Sequence, residues 1–153
     1  MRFLYFDRIT EVESGKRVSG VKTFPLSEAY LKGHFTRAPL IPGSILIEAM
    51  AQITGWLIVY PHKCETACVI SLINNVKVPI DLRAGTTVDI HGEILDTDKR
   101  WSRCRAWVER DGETIASADR FLFPHFKEPY PEETAQRFRH LGWLEPRWDW
   151  EAS

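Results

Sequence analysis

The side chains of this sequence best placed to do acid–base chemistry are one histidine and one carboxylate, set on either side of a proline-punctuated turn. His34 stands in Gly33-His34-Phe35-Thr36-Arg37-Ala38-Pro39-Leu40-Ile41-Pro42-Gly43, and Glu48 stands in the apolar run Ser44-Ile45-Leu46-Ile47-Glu48-Ala49-Met50-Ala51-Gln52 that follows. An imidazole can accept a proton near neutral pH. A carboxyl can deliver one. The first N–H groups of a helix have no intrahelical acceptor, so they can hold a developing oxyanion. The combination suits proton removal beside a carbonyl. Each residue also has a plainer use. A histidine in a proline-rich loop can be structural, and a glutamate in an apolar helix can be a satisfied core carboxyl or can face solvent between helices.

The elements that must position these groups follow from the local pattern. Pro39 and Pro42 stiffen the loop and remove two amide donors. Gly43 lets backbone approach a ligand with no side chain in the way, and Ser44 is a candidate cap for the helix behind it. Ile45 to Tyr60 is apolar at almost every position, which predicts a buried helix, too short and too interrupted by Glu48 and Gln52 for a membrane span. Glu48 and Gln52 are one turn apart and share a face. In such a helix the carboxyl is expected to be at least partly desolvated, which disfavours its charged form. Gln52 can hydrogen-bond that carboxyl or face a partner subunit.

Around this helix the chain alternates. Arg17 to Phe24 reads as a strand ended by Pro25, after an apolar opening segment over residues 3–12 and a turn at Ser14-Gly15-Lys16. Ser27 to Gly33 reads as a short helical turn or loop. Pro61-His62-Lys63 breaks the long helix, with His62 solvated. Cys68 to Ile73 reads as a short strand interrupted by Asn74-Asn75. Thr87 to Leu95 puts Val88, Ile90, Gly92 and Ile94 on one face, and leaves His91 on the polar face, in water. Trp101 to Val108 puts Cys104, Ala106 and Val108 on a small apolar face. Asp111-Gly112 is a two-residue hairpin turn, and Glu113 to Phe123 returns with Ala116 and Ala118. A helix apolar all round, followed by at least three antiparallel strands and preceded by one or two, requires a sheet that curls over it: an α+β fold.

The spacing His-Phe-x-x-x-Pro-x-x-Pro-Gly-x-x-x-x-Glu-Ala-Met-Ala-Gln, running without gaps over His34–Gln52, resembles the signature of FabZ-type 3-hydroxyacyl-[acyl-carrier-protein] dehydratases. The resemblance is tight from Gly33 to Gln52, looser to about Phe123 and absent beyond. It implies the hotdog fold, a curled antiparallel sheet wrapped around one long central helix. It implies dehydration of (3R)-3-hydroxyacyl-acyl carrier protein to the trans-2-enoyl thioester, in fatty-acid or related acyl-chain biosynthesis. His34 and Glu48 match the family's catalytic pair. Gly43 matches the glycine whose amide binds the thioester carbonyl of the substrate. No cofactor and no metal are implied. In the family the two catalytic residues of one site come from opposite subunits, so a homodimer at least is implied, with a trimer of dimers open. The chain departs from the family at Thr36-Arg37, where Pro-Gly is usual, and at Ser44, where an aliphatic residue is common. A hotdog thioesterase and a non-catalytic acyl-binding or scaffold homologue are the competing readings. Because acyl carrier proteins are acidic, Lys32, Arg37, Lys77 and Arg83 are candidates for a basic docking rim.

Composition sets the remaining bounds. The chain has 153 residues, a formal net charge of −1 and three cysteines. It is long enough for one domain with its own core, and its charge argues against a general nucleic-acid binder. Cys64 and Cys68 lack a matching Cys/His pair for zinc, and the cysteine usage fits a reducing compartment. The apolar start, stopped by Asp7 and Arg8, is too short for a signal segment, so a cytoplasmic location is expected. Residues 1–124 are expected to form the hotdog domain and 125–153 a tryptophan-rich extension packed on it. In that extension Pro131-Glu132-Glu133 starts a helix with acids near its positive end, ended by Gly142. Trp143, Trp148 and Trp150, which follow it close together, are expected on the outer sheet face near Trp101 and Trp107, or as a lid or lining of an acyl tunnel.

Overall fold

The computed structural model describes residues 5–32 and 37–140, with backbone alone at 139 and 140. Two strands, β1 (Arg8–Glu13) and β2 (Arg17–Thr23), precede the short helix α1 (Ala29–Lys32) and the central helix α2 (Gly43–Val59). A 3-10 turn (Tyr60–His62) ends α2. It is followed by β3 (Thr66–Cys68), β4 (Leu72–Lys77), β5 (Thr87–Thr97), β6 (Trp101–Arg110), β7 (Glu113–Lys127) and the helix α3 (Pro131–His140). The pairings run β1-β2-β5-β6-β7-β3, with β4 also on β7, and every pairing is antiparallel.

The period-two patterns select the face of each strand. Val88 and Ile90 on β5, Cys104, Ala106 and Val108 on β6, and Ala116 and Ala118 on β7 are all buried, and all join one core with α2. Leu46, Met50, Ile53 and Leu57 of α2 are fully buried against them, each worth about 1.5–3 kcal/mol in removed apolar surface. Small residues on the sheet let the helix sit close. A Cβ at Gly92 would lie 2.5 Å from Thr54 Cγ2, and one at Gly20 would lie 2.8 Å from Ile53 Cδ1. At the far end Asp111 (φ 54°) and Gly112 (φ 81°) make the left-handed turn that a tight hairpin requires.

Several local expectations are corrected. Ser44 does not cap α2. The helix starts two residues earlier, Pro42 holds the cap position without a side-chain bond, and Ser44 is exposed. The single strand expected over Cys68–Ile73 is two strands separated by residues 69–71. Asn74-Asn75 does not interrupt a strand but lies within β4, where Asn75 takes a left-handed φ of 50° and drops out of the pairing register with β7. His91 is not bathed in water. It stacks on Trp107 with centroids 5.2 Å apart, and its Nδ1 lies 2.8 Å from Ser19 Oγ. Its Nε2 is 3.4 Å from Glu109 Oε2, without hydrogen-bond geometry.

The stretch Gly43–His62 is apolar and long enough to cross a bilayer by composition, but more than half of it is buried inside the fold, as the core helix of a wrapped sheet would be. The helix expected from Pro131 is present, with Glu132 and Glu133 in its first turn. Ala135 is buried with Val59 and Cys64 at the C-terminal end of α2, and Phe138 packs on them. Gly142, Trp143, Trp148 and Trp150 lie outside the described residues.

Candidate active site

The turn before α2 is built by pinning a proline-rich chain to a neighbouring segment. Ile41 N–H donates to Leu82 O at 2.7 Å, and Ala84 N–H donates to Pro39 O at 2.9 Å. Leu40 bridges Arg83, and Ile41 and Leu82 are buried. Gly33 to Thr36 lie outside the described residues, and with them the catalytic expectation for His34. Gly43 is the first residue of α2, so its N–H has no acceptor within the helix. A Cβ at Gly43 would lie 2.6 Å from Val78 Cγ2. The residue type is therefore demanded by sterics as well as by any approach of substrate.

Glu48 is exposed in the single protomer. This corrects the expectation of a carboxyl desolvated by its own fold: the buried side chains of α2 are Leu46, Ala49 and Met50 on either side of it. Gln52 takes the first of its two possible roles. Its Nε2 donates to Glu48 Oε1 at 3.0 Å, while its own Oε1 accepts the Tyr5 N–H at 3.0 Å. The amide thus ties the carboxyl to the backbone ahead of β1, and fixes the Glu48 rotamer from one side.

These two residues sit at the edge of an apolar cavity of about 480 Å³, within the usual size of a small-molecule site. Gly55, Trp56, Phe123 and Phe138 are among its other walls. Trp56 stacks on Tyr60 (4.8 Å, 23°) and meets Phe138 edge-on (5.9 Å, 81°). Cys68 also lines the cavity, and burial pushes its thiol up to about 12. Sequence reasoning found Glu48 and Gln52 and expected an acyl tunnel, but did not assign its walls on α2. The spacing Glu48, Gln52, Gly55, Trp56, Val59 recurs at helical intervals and marks that face, but an apolar stripe on a core helix carries no sign of being hollow.

The edge of the sheet beside the cavity is apolar and, among the described residues, unpaired on one side. Val69, which lines the cavity, Leu72, Val76 and Ile80 are all exposed, with Ile80 at 90%. β4 pairs β7 and presents its other edge outward. Lys32, Arg37, Lys77 and Arg83 are all exposed. Arg83 is beside Leu40, and Lys77 precedes the valine that packs on Gly43.

Comparison with known proteins gives a consistent result. The sequence pattern of the FabA-like domain matches residues 1–119. The 3-hydroxyacyl-[acyl-carrier-protein] dehydratase FabZ of Clostridioides difficile is 34% identical over 125 residues, covering 79% of this chain and 85% of its own. The Bacillus subtilis protein of the same name is 31% identical over 119 residues, covering 76% and 84%. Among solved structures, the dehydratase heterocomplex ApeI:P from Xenorhabdus doucetiae superposes with a TM-score of 0.67 at 18% identity, over 89% of this chain and 90% of that one. A thioesterase from Haemophilus influenzae superposes at 0.56 with 8% identity, over 78% of each. At such identities the structural likeness speaks for the hotdog fold alone. The family match spans most of the chain and includes the whole His34–Gln52 motif, so the chain belongs to the FabA-like family, in its FabZ-type branch.

Proposed function

We propose that this chain is a dehydratase that removes water from (3R)-3-hydroxyacyl thioesters of acyl carrier protein to give the trans-2-enoyl thioester. Family membership and the FabZ relatives support the reaction class. The observation that carries the reading onto this molecule is the Gln52-held Glu48 carboxyl at the edge of an apolar cavity, on the helix whose first amide is that of Gly43.

Elimination needs a base for the α-proton and an acid for the leaving hydroxyl. Neutral His34 takes the α-proton. The carbonyl oxygen that gains charge is held by the Gly43 amide and the positive end of α2. Protonated Glu48 gives its proton to the C3 hydroxyl, which departs as water while the C2–C3 double bond forms. Solvent then returns His34 and Glu48 to their starting states. Each acid or base role contributes about 10²–10⁴-fold.

A carboxyl that delivers a proton must be shielded from water, and one protomer leaves Glu48 exposed. A second copy supplies the cover. Exposed Val69 lines the cavity, exposed Leu72 and Val76 follow it on β4 and Ile80 lies just beyond; this apolar stretch is the surface on which a homodimer forms. His34 of one protomer then meets Glu48 of the other. The acidic carrier approaches Arg37, Lys77 and Arg83 around the helix start, with Lys32 nearby in sequence. Residues 1–124 form the catalytic unit and 125–153 an extension of it, and the enzyme works in the cytoplasm with a soluble carrier.

The thioesterase reading predicts a different product from the same substrate. Incubation with a 3-hydroxyacyl-acyl carrier protein should raise the ultraviolet absorbance of the conjugated enoyl thioester with no free thiol. Thiol release without enoyl formation would replace this reading by hydrolysis. Neither product would leave a non-catalytic acyl-binding protein.

A further inference from the structure

The family pattern ends at residue 119, yet two of the residues lining the cavity, Phe123 on β7 and Phe138, come from beyond it. Phe138 lies on α3 (Pro131–His140), in the extension, and reaches back to the cavity that opens at Glu48. We propose that Phe138 sets the depth of this cavity and so fixes the longest acyl chain the protein accepts; this rests on the dehydratase reading for the identity of the occupant.

Three observations support a stop, as against a loose cover. First, Phe138 meets Trp56 edge-on at 5.9 Å, and Trp56 is 3% exposed and itself stacked on Tyr60 at 4.8 Å. An aromatic pair of this kind resists displacement by a flexible alkyl chain. Second, α3 is anchored: Ala135, one turn before Phe138, is buried against Val59 and Cys64 at the end of α2. Third, the order of residues along α2 gives the cavity a direction. Glu48 and Gln52 come first, Gly55 and Trp56 a turn later, and Phe138 packs where the helix ends. An acyl group whose C3 hydroxyl meets Glu48 therefore points its tail toward the Trp56–Phe138 pair. The lining is apolar apart from Glu48 and Gln52, which suits a hydrocarbon tail. Gly55 keeps the passage open: among the described residues, the atom that a Cβ there would meet within 4 Å is Cys68 Sγ at 3.7 Å.

The test compares wild type, Phe138→Ala and Phe138→Trp. Equilibrium binding is measured for a graded series of acyl-pantetheine thioesters, from butanoyl to palmitoyl, by calorimetry. Turnover is measured separately on the matching 3-hydroxyacyl carrier substrates. Wild type should show a sharp loss of binding beyond one chain length, since each methylene that fails to fit costs about 10-fold or more. Phe138→Ala should move that limit to longer chains. Phe138→Trp should move it to shorter ones. Thermal melts verify that each variant folds, and the two variants shift in opposite senses, so general loosening cannot imitate both. A limit that stays in place in both variants would overturn the proposal, as would thioester binding too weak to detect, which would mean the groove is filled by a side chain of the partner protomer. Length-limited binding that shifts with Phe138 but yields no enoyl product would leave the depth assignment standing and overturn only the dehydratase reading.

Discussion

The chemistry rests on a few groups whose surroundings decide what they do. Glu48 carries its hydrogen bond from Gln52 at 3.0 Å, and Gln52 is in turn held by the Tyr5 backbone. Loss of that amide would leave the carboxyl free to rotate. Cys68 sits on the same cavity with its thiol pushed up to about 12 by burial, and Cys104 is pushed up to about 12 by burial and by its neighbour Cys68. At pH 8 such thiols are thiolate in about one molecule in 10⁴. Alkylation of Cys68 and Cys104 by iodoacetamide in the native protein should run about 10³-fold slower than in denaturant. Peptide mapping after timed labelling measures it, and native labelling at the denatured rate would contradict the burial described here. The motif from His34 to Gln52 was legible in the sequence because type and spacing carry it. The exposure of Glu48 was not, because burial of a helical residue depends on which face the sheet covers, and an apolar helix interrupted by only a few polar residues does not reveal which side stays open.

At the scale of elements, the helix and sheet meet through small residues. Gly92 and Gly20 on the strands leave room for Thr54 and Ile53 on α2. Gly92→Ala would force its new Cβ to within 2.5 Å of Thr54 Cγ2, and should cost about 1–3 kcal/mol of stability by overpacking. A lower urea midpoint with an unchanged slope is the expected result. β5, β6 and β7 were legible in their alternation, because each buries one face only. The split between β3 and β4 was hidden, since a run of apolar residues with no period reads as one strand. His91 was read from the polar face of β5, and the partner that covers it, Trp107, comes from the next strand, beyond any local pattern. On β7, burial lowers the affinity of His125 for a proton, and nearby His62 lowers it further, with smaller opposing contributions from the Lys99 backbone and Asp98. A histidine that binds protons more weakly when folded contributes stability above its unfolded value of 6.5, and that contribution is lost as pH falls. The melting temperature should therefore drop between about pH 7 and 5, and His125→Gln should flatten part of that drop. A drop equally steep in the variant would assign it to other groups.

For the whole molecule, one protomer is an incomplete enzyme on this account. The sheet covers one side of α2 and leaves Glu48 exposed on a cavity that the exposed Val69 also lines. The wrapped-helix architecture followed from composition and period, since a helix apolar over its whole length must be enclosed. The position of the extension did not follow. The tryptophans expected on the outer sheet face lie outside the described residues; the docking of α3 on Val59 and Trp56 at the end of α2 was not legible, because apolar contact has no preference between surfaces beyond shape. The same docking brings Phe138 to the cavity and makes a segment outside the family pattern part of the candidate site.

The claim that the site is shared between two protomers is tested most directly by a mixed dimer. His34→Ala and Glu48→Gln chains, carrying different tags, are produced together, and the mixed species is isolated through both tags. Each homodimeric variant should lose about 10²–10⁴-fold in enoyl formation. In the mixed dimer one site carries both changes and the other carries neither, so about half of the wild-type rate per dimer should return. A mixed dimer as inactive as its two parents would contradict a site built from His34 of one chain and Glu48 of its partner.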